Sequence, residues 1–572
     1  MNKDLIFNTH MSHAVIIDGQ TYLPTNYLVK YSNILELLVE KATRHKNETF
    51  ITFYASGGVA MRYTYEEFRR KVFQTANYLR AQDLIEESRV ATVSHNHIDT
   101  VVQYFAAWCA GMTVVPINVG ETPERIKYIL ENAGVQLAFV RDEYLPMIES
   151  LGLNLTILAS SDFEQTIAAF PDEFGQAHII DTRVKPKETV DENRATYADL
   201  ETEALIVYTS GTTGLPKGVV LTQYNLLVDA DAIAAWHGLK EGDVMMCVLP
   251  IHHVNGTVVT LLTPLYYGGS VVLNQKFQTE IFFERVANEK VKIVSVVPTL
   301  LQFLLHADID ISKYDLSHFS HFICGAGPLT VELAMAFEKR YGLKIIHGYG
   351  LSETTCYSCF LPLDLSEEEH RKWLSEFGFP SIGVPIPPNE MAIFNNRGEK
   401  VREGWRGEIV IRGHNVMKGY YQNEEANVKA FEKGWFHSGD EGFFKTDEKG
   451  RKFFFITGRI KELIIRGGVN ISPLEIDEVL CGIPGVKAAI AVGFENDWYG
   501  EEVGALVQLK EGTTLTGEDI IKKCAEKLPF NKCPKVVLFS DEIPVTSTGK
   551  YQRNKVKDLF KPWKTIQFKQ QS

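Results

Sequence analysis

The run Tyr208–Val220, YTSGTTGLPKGVV, sets Thr209, Ser210, Thr212 and Thr213 beside Gly211, Gly214, Gly218 and Lys217, with apolar residues on either side. Glycine amides, hydroxyl donors and one ammonium are the groups that hold phosphate oxygens. The spacing departs from the G-x-x-x-x-G-K-[ST] loop of phosphate-transferring NTPases. Gly211 and Gly214 stand too close, Pro216 precedes Lys217, and Gly218 takes the place of the magnesium-binding hydroxyl. The loop therefore points to nucleotide phosphates and argues against a kinase or NTPase that cleaves the β–γ bond to give ADP.

Such a loop needs a strand to carry it, and ALIVYTS, immediately upstream, reads as one. Helical spacing in YTYEEFRRKVFQTANYLRAQ precedes the strand-like RVATVSHN. The same order returns in TVVQYFAAWCAGMTVVPIN, in RIKYILENAG with VQLAFV, and in FFERVANEK with VKIVSVVP. This alternation predicts an α/β fold, with a large N-terminal domain (1–458) of parallel-rich sheets covered by helices. Short strands with turn signals predict a β-rich subdomain over 385–458. Beyond a boundary at Arg459 to Lys461, mixed strands and helices predict a small, mobile α+β domain over 459–572.

At 572 residues the chain exceeds one ordinary core, and 45% hydrophobic with 23% charged residues is the composition of a folded soluble protein. A formal charge of -13 argues against nucleic-acid partners and anionic membrane surfaces. The N-terminus lacks a basic region followed by an apolar one, and the apolar run Thr257–Leu273 is interrupted by Pro264 and two glycines. A cytoplasmic protein with no transmembrane segment is therefore expected. The eight cysteines read as reduced thiols. Cys356 and Cys359 form a lone C-x-x-C with no second ligand pair at metal spacing.

Further motifs follow the loop in order: PIHHVNG (Pro250–Gly256), GAGPL (Gly325–Leu329), GYGLSET (Gly348–Thr354), GWFHSGD (Gly434–Asp440), GRIKELIIRGGVNISPLEIDEVL (Gly458–Leu480) and PVTSTGKYQR (Pro544–Arg553). In types and order the set resembles the adenylate-forming superfamily of acyl-CoA synthetases, peptide-synthetase adenylation domains and firefly-type luciferases, and is nearest to the fatty acyl-CoA ligases. The resemblance implies ATP, Mg2+ and coenzyme A as reactants and cofactors. It also implies that a carboxylic acid is activated as acyl-AMP with release of pyrophosphate, then transferred to a pantetheine thiol. A carboxylate is already ionised at pH 7, so this chemistry needs charge neutralisation and positioning rather than a base.

Carried over residue by residue, the resemblance makes Lys550 the catalytic ammonium between carboxylate and α-phosphate, and Glu353 the magnesium ligand. The ATP site takes Thr209, Ser210, Gly211, Thr212, Thr213, Gly214 and Lys217 on the phosphates. It continues with Gly325, Ala326 and Gly327, then Tyr349 stacked on adenine with Gly350 and Ser352 beside it, Asp440 on the ribose diol and Arg459 at ribose or phosphates. Lys461 becomes the hinge of the small domain, and Gly467 and Gly468 border a pantetheine channel. The acyl pocket falls to His252, His253, Asn255 and Gly256, with His253 at the family's aromatic gate and counted among the catalytic residues.

Amino-acid adenylation domains carry an aspartate where PIHHVNG stands, and none is present here. The apolar stretch that follows favours a medium- or long-chain fatty acid, with aryl acids as the alternative. The GRIKE lysine favours coenzyme A as acceptor. The alternative is an acyl carrier protein, loaded by an acyl-ACP ligase or a stand-alone adenylation enzyme, which would need the basic stretch Lys550–Lys564 as its patch. The segment 356–381 is longer and more charged than the family pattern, and its role is left open.

Overall fold

The computed structural model describes Val15–Ile17 and Gln20–Tyr22 as backbone, and residues 29–569 except 59, 83, 85–86, 174–198, 210–214, 308 and 546–550. Two parallel-rich sheets dominate the large domain. In the first, Thr156–Ala159, Val135–Val140, Arg89–Val93, Thr113–Ile117 and Glu203–Thr209 run parallel. Lys217–Thr222 and Gly419–Tyr420 then close that edge antiparallel.

The second sheet has nine strands, six of them parallel: Thr49–Tyr54, Ser270–Asn274, Val244–Cys247, Ile293–Val296, His321–Cys324 and Lys344–Tyr349. All residues of Thr113–Ile117 and Ile293–Val296 are buried, as expected of strands covered on both faces. The helix Ile98–Cys109 is buried at every position but Asp99, and its all-round apolarity fits an interior helix. Capping boxes at Thr64–Glu67 and Thr222–Asn225 fix where Tyr65–Arg80 and Gln223–Trp236 begin.

An antiparallel sheet of Asn389–Phe394, Gly407–Gly413, Phe436–Thr446 and Lys452–Arg459 forms the β-rich part. The segment 356–381, left open by the sequence, buttresses it. Trp373 on the helix Glu367–Ser375 stacks on Phe453 at 3.7 Å and 3°, and His370 Nε2 meets Glu338 Oε1 at 2.8 Å. Cys356 and Cys359 are both buried there, and neither is in a disulfide.

After Ile460 a separate core forms around Ile464, Ile476, Leu480, Ala489, Val503, Ile520 and Cys524. A second face packs Ile490, Val492 and Phe494 against Val556 and Phe560. One small sheet is thus covered on both sides. Among the described residues no helix is long and apolar enough to cross a membrane. The basic C-terminal stretch is largely paired with acids. Lys557 lies 3.5 Å from Glu501, Lys561 2.9 Å from Asp558, and Lys564 2.7 Å from Glu495.

Candidate nucleotide and acyl site

Four neighbouring parallel strands end on the same side of the nine-stranded sheet. Their carboxyl ends deliver PIHHVNG (after Cys247), Pro298 (after Val296), the Gly325 loop (after Cys324) and Tyr349 itself. Crevices outside the carboxyl ends of such strands are where open α/β sheets hold ligands.

The glycine-threonine loop is anchored from the other sheet. Its flanking strands pair antiparallel with Thr209 opposite Lys217. Ser210, Gly211, Thr212, Thr213 and Gly214 lie outside the described residues, as does Lys550. Gly218 has a packing reason: a Cβ there would press within 2.8 Å of the Ile206 side chain. On its free edge, Lys217–Thr222 takes up Gly419–Tyr420, with Val219 opposite Tyr420. This pairing puts Lys217 Nζ 4.6 Å over the Tyr420 ring, while the Tyr420 hydroxyl donates to Glu353 Oε1 at 2.9 Å. Burial, then the Glu353 charge, pushes the Tyr420 phenol above its ordinary range, so it remains a donor.

Glu353 sits in a single 3-10 turn, Ser352–Thr354, that begins three residues after Tyr349. Thr355 follows at φ 59°, with its hydroxyl donating to Asn415 O at 2.6 Å, and Met417 N donates to Glu353 O at 2.8 Å. Among the described residues no three His, Cys, Asp or Glu side chains form a group able to hold a metal. One hard carboxylate fits magnesium that arrives with phosphates, since Mg2+ commonly takes one or two carboxylates and completes its octahedron from phosphate and water.

Across the crevice, Asp440 is engaged at both oxygens. The Tyr349 hydroxyl donates to Oδ2 at 2.5 Å, and Arg459 Nε lies 2.8 Å from Oδ1. Asp440 and Arg459 are directly opposite on paired strands, which fixes their meeting. Each carboxylate oxygen retains a second lone pair for an incoming hydroxyl. Burial, then Asp440, raises the Tyr349 phenol well above its ordinary range. Glu408 braces the strand by accepting from Gly439 N at 2.9 Å and meeting His437 Nδ1 at 2.7 Å. The hydrogen bond to Glu408 raises the His437 pKa.

The glycine motifs bring backbones close. A Cβ on Gly325 would fall 2.7 Å from the Tyr357 hydroxyl, and one on Gly350 would fall 1.6 Å from Cys356 O. At Gly327 the nearest atom to such a Cβ is a Pro298 ring carbon at 3.3 Å. Ala326 between them adopts φ 61°, a left-handed conformation costly for alanine and concentrated at functional sites.

His252 and His253 face each other with ring centroids 4.4 Å apart. Burial pushes the His252 pKa down to about 4, so the ring is neutral at pH 7. Asn255 is committed within the protein. Its Oδ1 accepts from Ser295 at 2.8 Å and its Nδ2 donates to the Tyr357 hydroxyl at 3.1 Å. Gly256 lets the chain press on Pro250 O, which a Cβ would approach to 2.4 Å. These two residues hold the π-helical turn Asn255–Leu262, buried throughout, in place.

In the small domain, Lys461 is exposed in a one-turn 3-10 helix immediately after strand Lys452–Arg459. Gly467 and Gly468, at φ 57° and 82°, turn a hairpin between Ile464–Arg466 and Val469–Ile471. Both glycines are exposed, as are Ile465 and Val469 beside them. Tyr551, the residue after Lys550, lines an interdomain cleft with Pro298, Thr299, Pro328 and Thr330.

Residues 38–421 match the model of the AMP-binding enzyme family, and residues 475–550 match that of the AMP-binding enzyme C-terminal domain. The chain belongs to the AMP-binding enzymes. Among curated relatives, the oxalate–CoA ligase of Arabidopsis thaliana is 34% identical over 483 residues, 82% of this chain and 88% of the relative. The long-chain-fatty-acid–CoA ligase of Bacillus subtilis is 29% identical over 559 residues, 93% of this chain and 96% of the relative. Of solved structures, ATP-bound MatB from Rhodopseudomonas palustris is similar with a TM-score of 0.79 at 25% identity. The match covers 93% of this chain and 99% of that one. The mixed α/β architecture of a large and a smaller domain is that of adenylate-forming enzymes.

Reading motifs alone missed three residues of this AMP-binding enzyme: Tyr420, Tyr357 and Glu408. Each acts through a partner distant in sequence, Glu353 at 67 positions, Asn255 at 102 and His437 at 29. The one local signal was the aromatic pair Tyr420–Tyr421 ending a strand-like KGYY, and it named no partner.

Proposed function

We propose that this enzyme is an ATP-dependent acid–thiol ligase that forms an acyl-CoA through an acyl-adenylate. The observation that carries the reading is the convergence of Lys217, Tyr420 and Glu353 at the base of the phosphate loop, facing the Tyr349–Asp440–Arg459 set. That layout suits a nucleotide held by its base and ribose at one end and by its β and γ phosphates at the other. The α-phosphorus is left between them.

In the first step a carboxylate oxygen attacks the α-phosphorus, the bond to the β-phosphate oxygen breaks, and pyrophosphate leaves. Tyr349 and Asp440 hold the nucleoside, and Lys217 and the hydroxyls of the loop hold the departing phosphates. Lys550 offsets charge at the attacked phosphorus, and Glu353 would hold a magnesium ion, which when bound would supply positive charge at the phosphates. In the second step, the thiolate of coenzyme A attacks the acyl carbon and AMP leaves with the bridging oxygen. Rotation about Lys461 brings Gly467 and Gly468 to the pantetheine for that step. His253 closes the acyl side until then.

The acid we infer is a monocarboxylic one with an apolar body, of medium or long chain. His252 is neutral at pH 7 and the adjoining turn Asn255–Leu262 is buried throughout, so among the described residues these two offer a second anionic group no cation. Aryl acids are the second reading, favoured by the two imidazole rings of His252 and His253, 4.4 Å apart and tilted by 53°, which offer aromatic contact. Supplying ATP, Mg2+, coenzyme A and acids of graded length, with AMP and pyrophosphate as readouts, tests both. ADP as the product would overturn the reaction, and a preference for dicarboxylates would overturn the acid.

A further inference from the structure

The small domain rests on the large one through a carboxylate at the start of a helix. Glu478, on the helix Pro473–Cys481, presents Oε1 to the backbone N–H of Val331 at 2.9 Å and of Glu332 at 3.4 Å. Those are the first two amides of the helix Val331–Tyr341, where the hydroxyl of the cap residue Thr330 accepts from Leu333 N at 3.2 Å. The first amides of a helix have no partner inside it, and a carboxylate there gains from both the hydrogen bonds and the helix dipole.

The position of this contact gives it meaning. The helix Val331–Tyr341 starts two residues after the Gly325–Leu329 nucleotide loop, so the small domain grips the element that continues that loop. On the same helix of the small domain, Asp477 forms a buried ion pair with Arg553, three residues beyond Lys550, and Arg553 also lies 3.4 Å from Glu462, next to Lys461. One helix therefore touches the nucleotide loop's extension and Arg553, and Arg553 in turn reaches Glu462 beside the hinge. In this arrangement Tyr551 faces Pro328 and Thr330, whereas the Gly467–Gly468 hairpin is turned out to solvent.

We propose that Glu478 is a positioning residue for the first half-reaction: its hydrogen bonds to the Val331 and Glu332 amides latch the small domain in the adenylate-forming orientation and are released for thioester formation. The proposal rests on the two-step reading of the reaction.

The test separates the half-reactions in the full-length enzyme. Adenylation is read as acid-dependent ATP–pyrophosphate exchange, and thioester formation as conversion of supplied acyl-adenylate and coenzyme A. Glu478→Ala removes the acceptor. Val331→Pro removes the nearer of the two donors while keeping the helix, since proline is well placed at the first helical position. Each variant is expected to slow adenylation about tenfold or more, as loss of one charged hydrogen bond predicts, with thioester formation unchanged or faster. The double variant should be no slower than either single one. Glu478→Gln, which keeps an acceptor oxygen without the charge, should lose clearly less than Glu478→Ala. Equal loss of both half-reactions, no loss of either, or additive effects of the two substitutions would overturn the latch. A wild-type enzyme that forms no AMP with any acid would instead overturn the two-step reading itself.

Discussion

The Tyr420 hydroxyl donates to Glu353 Oε1 at 2.9 Å, and the ring of the same tyrosine lies under Lys217. One side chain thus ties the phosphate-loop strand to the carboxylate that fits magnesium. Tyr420→Phe keeps the ring and loses the hydroxyl. It should slow adenylation about tenfold, the cost of a hydrogen bond to a charged group, and raise the magnesium concentration needed for half-maximal rate. Glu353→Gln should be the more damaging change. Magnesium titrations of both variants check the order, and equal magnesium dependence in Tyr420→Phe and wild type would contradict it.

Asp440 is held by Tyr349 and Arg459 before any ribose arrives. Asp440→Asn weakens the ion pair and should raise KM for ATP at least about tenfold, with KM for the acid little changed. Initial rates with each substrate varied in turn provide the check. A rise in KM for the acid alone would place Asp440 elsewhere in the reaction.

Backbone proximity makes the glycines unequal. A Cβ on Gly350 would overlap Cys356 O at 1.6 Å, while one on Gly327 meets only a proline ring carbon at 3.3 Å. Gly350→Ala should lower the thermal midpoint by several degrees or abolish soluble expression, and Gly327→Ala should leave the midpoint nearly unchanged. Thermal denaturation of the two purified variants distinguishes them.

His437 has its pKa raised by the hydrogen bond to Glu408, with further help from that charge. A raised folded-state pKa adds stability that is fully present below the unfolded value of about 6.5 and is lost as pH rises through the folded one. Glu408→Gln should therefore cost more stability at pH 6 than at pH 8.5. Denaturation midpoints of wild type and variant at the two pH values would show the gap narrowing as pH rises. A gap that widens would contradict the pairing.

Much of the fold was legible because period and punctuation are local. Strand ALIVYTS, the helix over 65–80 and the small-domain elements all stand where alternation and turn residues put them. The meeting of Asp440 with Arg459 was legible as motif order, and strand pairing explains it. What stayed hidden depends on pairings across hundreds of residues. The edge strand Gly419–Tyr420 joins Lys217–Thr222 with Gly419 opposite Val220, 199 positions earlier, and no local pattern announces that register. Asn255 likewise read as pocket lining from its motif, although Ser295 and Tyr357 take up its amide. The charged 356–381 segment concealed Trp373, whose stacking on Phe453 needs the β-rich sheet to be built first.

The central claim is that a carboxylate oxygen attacks the α-phosphorus of ATP. Its most direct measurement supplies an acid labelled with 18O in both carboxylate oxygens, together with ATP, Mg2+ and coenzyme A, and weighs the nucleotide product. Attack at the α-phosphorus predicts AMP carrying one 18O per turnover, with unlabelled pyrophosphate. AMP without label, or ADP with labelled phosphate, would contradict the account.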